Sequence, residues 1–388
     1  MNATQPDLLI FGGGIAGLWT LLRARQAGYQ ALLLESRALG GVQSIASQGI
    51  IHGGTKYALK GAVTDSTRAI GDMPRVWRDA LAGRGEVDLS AVRVLSEHQY
   101  LWSSGSLASS LASLFASKLM QSRVTSLAKN ELPAPFDTPR FHGSLYRLQE
   151  PVLDTASLMT CLAEQTRSWC HLYEPENMKI RTDSILVGKL AIRPRRVLLA
   201  AGRGNASLLS RWGMMQPQMQ TRPLHMVMLK GRLPTVYAHC LGASSNPRLT
   251  ITSYPLEHGK SVWYLGGQLA EDGIQRSREE QIAKARAELQ KLLPWLDFAP
   301  MDWATLPIDR AEIATPGGKR PDDCYLGCQD AVMVAWPTKL AFAPRLAAQV
   351  LAQLEKEEVR PSKTALPELP LDRPPLARLP WEEAQTWS

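Results

Sequence analysis

The residues best suited to chemistry begin with a glycine loop. Gly12-Gly13-Gly14-Ile15-Ala16-Gly17 follows the apolar run Asp7-Leu8-Leu9-Ile10-Phe11, and Glu35 closes a second apolar run, Ala31 to Leu34. The first run has the length and apolarity of a buried parallel strand. Residues 18–28 between the runs read as a helix, with Leu18, Leu21, Leu22 and Arg25 at helical spacing and Gly28 ending it. Gly12 permits a tight turn out of the strand. Gly14 leaves room for a diphosphate against bare backbone, and Gly17 lets helix and strand pack closely. The helix N-terminus offers free N–H groups and a positive dipole to phosphate. A carboxylate at position 35 accepts from ribose hydroxyls and repels a 2′-phosphate. A glycine triplet alone is a weak signal; strand, loop, helix, strand and acid in this order predict a dinucleotide site, against the blander reading of a structural glycine loop.

Two further stretches choose between dinucleotides. Gly41 to Tyr57, ending Gly49-Ile50-Ile51-His52-Gly53-Gly54-Thr55-Lys56-Tyr57, is rich in small residues and directly follows the ribose strand. It reads as backbone wrapped around a flat ring rather than as a second strand–helix half. Arg196-Val197-Leu198-Leu199-Ala200-Ala201-Gly202 is an apolar strand ending in small residues, suited to return a late part of the chain beside the first loop. Together they predict FAD rather than NAD.

The Asp7–Gly17 stretch, Glu35, the Gly49–Tyr57 segment and Leu199-Ala200-Ala201-Gly202 resemble the D-amino-acid-oxidase-like FAD-dependent oxidoreductases. That superfamily includes glycine oxidase, sarcosine oxidase, L-2-hydroxyglutarate oxidase and glycerol-3-phosphate dehydrogenase. The run His52-Gly53-Gly54-Thr55-Lys56-Tyr57 is most similar to the glycerol-3-phosphate dehydrogenase branch. Val332 to Pro344 resembles the family's last flavin-contact loop, and the following helix runs to about residue 355. The resemblance spans almost the whole chain. It implies an α/β fold: a Rossmann-like FAD-binding domain interleaved with an antiparallel-sheet substrate domain. The implied FAD pieces are 1–78, 146–215 and 310–360, the substrate pieces 79–145 and 216–309, with a proline-rich C-terminal tail over 361–388.

The resemblance also implies the residues that contact the cofactor. They are Gly12, Gly14, Ile15, Ala16, Gly17, Glu35, Ser36 and Arg37 around the first loop, then Val42, Gln43, Ser44, Gly49, Ile50, Ile51, His52 and Gly53. Met178, Ala200, Ala201 and Gly202 follow, and last Trp336, Pro337, Thr338, Lys339 and Leu340. Lys339 and His52 are the candidate catalytic residues. A cation in the last loop would stabilise negative charge on reduced flavin; the alternative is a surface lysine just ahead of a helix. His52 would touch flavin or substrate, with a covalent flavin link the less expected role; the alternative is a histidine bonded to backbone beneath the ring. Arg310, Tyr254 and His239 are the candidate substrate contacts.

Two departures bear on substrate. Amino-acid oxidases of this kind carry an arginine that grips the substrate carboxylate, and Ala314 stands at that position here. The second arginine, seen in glycine oxidase, aligns with Pro337. Without a bidentate guanidinium, carboxylate recognition loses its usual source, unless Arg310 substitutes. The expected reaction is oxidation of a C–H bond beside an amine of a small molecule, by hydride transfer to flavin. The alternatives are a glycerol-phosphate- or 2-hydroxyacid-type dehydrogenase that passes electrons to quinone, and an FAD-binding redox sensor without turnover. Oxygen or quinone is the expected acceptor.

The elements that must hold these residues are legible in part. Ser96–Ser103, His225–Gly231, Leu249–Pro255 and Ser261–Gln268 read as strands between turn formers, and residues 279–293 as an amphipathic helix. Ser106–Leu119 reads as a helix packed on the sheet, or alternatively as a peripheral membrane or quinone contact. The chain has 388 residues and is 45 % hydrophobic, enough for a large core. The net charge of +8 is scattered rather than striped with aromatics, which argues against nucleic acid as a partner. The five cysteines, Cys161, Cys170, Cys240, Cys324 and Cys328, show neither disulfide nor zinc spacing and read as reduced thiols, with no metal site. A polar start running straight into Asp7 predicts no signal peptide and a cytoplasmic location.

Overall fold

The computed structural model describes residues 4–54, 65–103, 124–242 and 246–388. Strand β1 (Leu8–Phe11) is buried at every position. Helix α1 (Ile15–Gln26) follows after three glycines, and strand β2 (Ala31–Glu35) returns parallel to β1, Leu8 beside Ala31 and Phe11 beside Leu34. The helix starts a turn before the sequence suggests, because Gly14 is its N-cap and Gly17 is helical. No side chain of its own caps it. The hydroxyl of Ser44 accepts from the Ile15 N–H at 2.9 Å instead.

These strands form the middle of a six-stranded sheet. In spatial order it runs Tyr325–Gln329, Val332–Trp336, Arg196–Leu199, β1, β2, Cys170–Leu172. All pairs are parallel except Tyr325–Gln329 with its neighbour. Near-continuous apolar strands suit a sheet covered on both faces. One face carries α1 packed between the helices Thr155–Thr166 and Ala343–Lys356. The other buries Leu9, Phe11, Leu32 and Leu34 with the small sheet Met178–Ile180, Ile185–Val187, Leu190–Ile192. Chain connections leave β1 in opposite directions, so a crevice opens at the carboxyl ends of β1 and Arg196–Leu199, where such sheets bind ligands.

The second large sheet has eight strands, in the order Asp302–Ile313, Met219–Gly231, Ser261–Gly266, Leu249–Pro255, Tyr237–Cys240, Gln99–Ser103, Ser144–Leu148, Val124–Ser126. Only the pairing of Tyr237–Cys240 with Gln99–Ser103 is parallel. Alternate residues face opposite ways: Val227, Leu229, Trp263 and Leu265 pack under the helix Arg278–Leu292, whereas Met226, Met228, Val262 and Tyr264 face the other side. That helix begins at Arg278 because Ser277 and Glu280 form a reciprocal capping box, at 3.2 and 2.8 Å. Ser144–Leu148 and Asp302–Ile313 cross the inferred piece boundaries at 145/146 and 309/310.

Two strands differ from expectation. His225–Gly231 begins at Met219, although Pro223 lies inside it. Ser261–Gly266 pairs only with Val227–Gly231, so Pro223 sits where one side of the strand carries no such partner and its missing N–H costs little. Ser96–Ser103 is two strands, Val94–Ser96 and Gln99–Ser103; the first leaves the sheet to pair with Val152–Leu153. The expected Ser106–Leu119 helix, and Thr55 to Tyr57 of the ring-wrapping segment, lie outside the described residues.

The proline-rich tail is a strap that joins both sheets. The Ser362 N–H donates to Asp7 at 2.8 Å, and the Leu172 N–H donates to the Asp372 carbonyl at 2.7 Å. Leu39 exchanges bonds with the tail through Pro375 at 2.8 Å and Ala377 at 3.0 Å. Trp381 then packs on Tyr254 with the rings tilted and their centroids 4.3 Å apart, and Ser388 exchanges two bonds with Trp303 on the antiparallel sheet, at 2.9 and 3.0 Å. Arg373 Nη1 stands 3.2–3.3 Å from both ring nitrogens of buried His171. Burial first, then the Arg373 charge, lowers the His171 pKa from 6.5 to about 4. The unfolded chain therefore takes up this proton near pH 6.5 and the folded chain only near 4, so the contribution is full above 6.5 and lost as pH falls towards 4. His171→Gln should melt less steeply with falling pH than the parent across that window; parallel melting curves from differential scanning calorimetry would refute this.

Candidate functional site

The crevice is a cavity of ≈ 1270 Å³ that runs from the first glycine loop to the antiparallel sheet. Ligand sites for one small molecule usually hold about 300–1,000 Å³, so there is room for a dinucleotide and more. Its floor is made by two loops in backbone contact. Gly12 has φ +109°, and a Cβ there would lie 2.5 Å from the Ala201 Cα. A Cβ on Gly17 would lie 1.9 Å from the Gly12 carbonyl oxygen. Gly14 is different: its Cβ would meet only the Ser44 hydroxyl, at 3.2 Å. Gly12 and Gly17 thus serve the packing of the loop, whereas Gly14 faces open cavity.

Around this floor the walls are pinned by hydrogen bonds. Glu35 accepts from the Gly13 N–H at 2.6 Å and from the Ser36 and Arg37 N–H groups, both at 2.9 Å. It therefore fixes the loop. Asn205 accepts from the Ala201 N–H at 2.8 Å and donates to the Ala335 carbonyl at 3.1 Å, and the Trp336 indole donates to the Gly202 carbonyl at 3.0 Å. Gln43 accepts from the Ala311 N–H at 3.1 Å. Gln48 donates to the Tyr264 carbonyl at 2.9 Å, and the Tyr264 hydroxyl donates to the Ala46 carbonyl at 3.0 Å. The ring-wrapping segment is held to the antiparallel sheet by these bonds. Its next residues are held to the 150–153 stretch: Ile51 N–H to the Pro151 carbonyl at 2.9 Å, and Gly53 N–H to Glu150 at 2.8 Å.

His52 lines the cavity with its Nδ1 3.4 Å from a carboxylate oxygen of buried Glu150, which also accepts from Gln99 at 2.6 Å. Its ring stacks on that of His239 at 5.6 Å, and His239 Nδ1 pairs with the Thr250 hydroxyl at 2.8 Å. Lys339 is buried against the cavity. Its ammonium donates to the Asp322 carbonyl at 3.3 Å and stands 4.8 Å over the Phe342 ring. Thr338 beside it takes φ +63°, with its hydroxyl donating to the Asp323 carbonyl at 2.8 Å.

Of the residues expected to contact cofactor, Gly12, Gly14, Ile15, Ala16, Glu35, Ser36, Arg37, Val42, Gln43 and Ser44 line the cavity. So do Gly49, Ile50, His52, Ala200, Ala201, Gly202, Trp336, Pro337, Thr338, Lys339 and Leu340. Of the substrate candidates, Arg310 and His239 line it as well. Gly17, Ile51, Gly53, Met178 and Tyr254 do not. Met178 is buried in the core beneath the sheet, and Tyr254 packs behind the ring-wrapping segment with its hydroxyl on the Ser47 carbonyl at 3.5 Å. Sequence reasoning missed Arg320, Asn246 and the strap residues Pro375 to Arg378 and Glu383, all in the wall. Nothing local marks them, since each arrives by a long-range path.

FAD fits this site on the chemistry of the wall. Bare backbone and a helix N-terminus can receive the diphosphate, and Glu35 can receive the ribose. Two of the four large apolar side chains exposed among the described residues, Val42 and Leu376, lie in this cavity, where a flat ring would cover them. All five cysteines are free thiols, with Cys170 raised by burial to about 11 and Cys240 and Cys324 to about 12. Among the described residues no helix is long and apolar enough to cross a membrane.

This fold and wall define a flavin-dependent oxidoreductase, and comparison with known proteins agrees. Residues 7–331 match the family described as DAO, FAD dependent oxidoreductase, so the chain belongs to that family, with FAD as its cofactor. It is 51 % identical over 389 residues, 99 % of each chain, to the probable FAD-dependent oxidoreductase PA4991 of Pseudomonas aeruginosa. The crystal structure of that protein superposes with a TM-score of 0.86 at 46 % identity, covering 98 % of this chain and 99 % of that one. Glycine oxidase from Geobacillus kaustophilus (TM-score 0.64, 16 % identity, 96 % and 99 % covered) shares the fold. So does the L-alpha-glycerophosphate oxidase from Mycoplasma pneumoniae with FAD bound (TM-score 0.64, 14 % identity, 98 % and 100 % covered).

Proposed function

We propose that the protein oxidises a C–H bond adjacent to an amine of a small molecule. One observation carries the reading: a single cavity joins the loops that fit FAD to a polar end bearing His52, His239 and Arg310. Bound FAD supplies the acceptor for a hydride. The substrate carbon gives up two electrons with that hydride, and its nitrogen gives up a proton as the C=N bond forms. His52, whose Nδ1 lies 3.4 Å from a carboxylate oxygen of Glu150, takes that proton in this reading. Lys339 supplies positive charge in the last loop, where negative charge on the reduced cofactor needs it.

A second reading, oxidation of a hydroxyl as in glycerol-phosphate or 2-hydroxyacid dehydrogenases, is favoured by the His52-Gly53-Gly54 run. The proton then leaves oxygen and the product bond is C=O. Anaerobic bleaching of the flavin by a panel of amines, amino acids, hydroxyacids and polyol phosphates separates them. The proposal expects bleaching by amines or amino acids. Bleaching by hydroxyacids or polyol phosphates alone transfers the assignment to the second reading, and no bleaching by any member favours a redox sensor. Peroxide release in air against reduction of a quinone then identifies the electron acceptor.

A further inference from the structure

Two consecutive residues of the last cavity loop are held by one bend, Asp322-Asp323. Thr338 takes φ +63°, a backbone region that β-branched residues enter only under constraint. The constraint is its hydroxyl, which donates to the Asp323 carbonyl at 2.8 Å. The Lys339 ammonium donates to the carbonyl one residue earlier, that of Asp322, at 3.3 Å, and stands 4.8 Å over the Phe342 ring. Neither of these contacts brings a formal charge to the ammonium. The bend thus fixes the backbone of Thr338 and the side-chain tip of Lys339 together.

The bend is itself tied down through the Asp323 carboxylate. One oxygen accepts from the Cys324 N–H at 2.7 Å and from Arg345 Nε at 2.9 Å, and the other accepts from Arg345 Nη2 at 2.6 Å. A forked, charge-assisted pair of this kind is geometrically specific. Burial alone would raise the Asp323 carboxyl, but the Arg345 bonds overcome it and hold the group below its ordinary range. Arg345 is the third residue of the helix Ala343–Lys356, which packs on α1. The ion pair therefore ties Lys339 to the same helices that carry the first glycine loop. Its plainest alternative role is a carboxylate well placed at a helix N-terminus, which would stabilise the fold and do nothing else.

We infer that Asp323 and Arg345 are positioning residues: their ion pair fixes the Asp322-Asp323 bend, and the bend sets the Lys339 charge against the flavin. The inference rests on the reading of Lys339 as the cation that offsets negative charge on the reduced cofactor, and it names the device that places that cation.

The test is the midpoint potential of the FAD-loaded protein, read against reference dyes with dithionite as reductant. Lys339→Met should lower the potential by about 30 mV or more, the two-electron equivalent of a tenfold loss of preference for reduced flavin. Asp323→Asn should also lower it. Loss of a negative charge would by itself raise the potential, so a fall identifies action through Lys339. In the Lys339→Met background, Asp323→Asn should lower it no further, because residues that act through one another are not additive. Arg345→Lys should keep part of the parental potential and Arg345→Gln should not. A merely structural pair would lower the melting temperature and leave the potential unchanged or raised; that result overturns the inference and leaves Lys339 its role. Equal falls with and without Lys339→Met overturn it as well. An unchanged potential in Lys339→Met overturns both the inference and the role of Lys339. If Asp323→Asn fails to fold, Arg345→Gln in the two backgrounds carries the same comparison. No substrate is needed, so every outcome is separable from failure of the proposed amine oxidation.

Discussion

Gly14→Ala should yield a folded protein that binds FAD about a hundredfold more weakly, the loss of one or two charge-assisted bonds to phosphate. The new methyl meets only the Ser44 hydroxyl, at 3.2 Å, so the fold can accept it. It enters the cavity at the N-terminus of α1, where a diphosphate would approach. Gly17→Ala should behave in the opposite way. Its methyl would fall 1.9 Å from the Gly12 carbonyl oxygen, which is backbone and cannot swing aside. Overpacking of this kind costs about 3 kcal/mol or more, a large share of the ~5–15 kcal/mol that holds a domain together. Circular dichroism, melting temperature and FAD released on denaturation distinguish the two. If Gly14→Ala keeps parental FAD affinity, the diphosphate does not lie on this loop.

The second large effect concerns the strap. Deleting residues 372–388 should lower FAD affinity about tenfold or more and reduce the melting temperature. The deletion removes Leu376, exposed in the cavity wall, together with the Leu39 pairing beside the glycine loop. It also removes Trp381, which is 9 % exposed and packs on Tyr254 and Tyr264. Those two tyrosines hold the Ser47 and Ala46 carbonyls of the ring-wrapping segment. Trp381→Ala alone should cost about 3 kcal/mol, as other buried tryptophan truncations do. A truncated chain with unchanged FAD dissociation and melting would show the tail to be a passive covering.

What could be read in the sequence follows from how local each feature is. The strand, glycine loop, helix, strand and acid lie within one stretch of chain, and each residue's task is set by its neighbours, so β1, α1, β2 and Glu35 were legible. Leu249–Pro255 was legible because β-branched and aromatic residues run between turn formers. The beginning of Met219–Gly231 was hidden by Pro223, whose tolerance depends on which side of the strand is paired. Tyr254 shares its strand face with Thr250, which lines the cavity, but stands four residues further along, behind the ring-wrapping segment, and alternation does not tell where along a strand the cavity ends. Arg320 depends on a loop path, which has no local signature. The prolines of the tail promised an extended chain but not its course, which is fixed by contacts with Leu39, Leu172 and Trp303. Ala314 was legible only as a departure from the family.

The most direct measurement is flavin content. Protein purified without added cofactor, then denatured, should release stoichiometric FAD, and the stripped protein should regain its visible spectrum and its melting temperature when FAD is returned. Colourless protein that takes up no FAD and melts at the same temperature with and without it would contradict the assignment of this cavity as a flavin site.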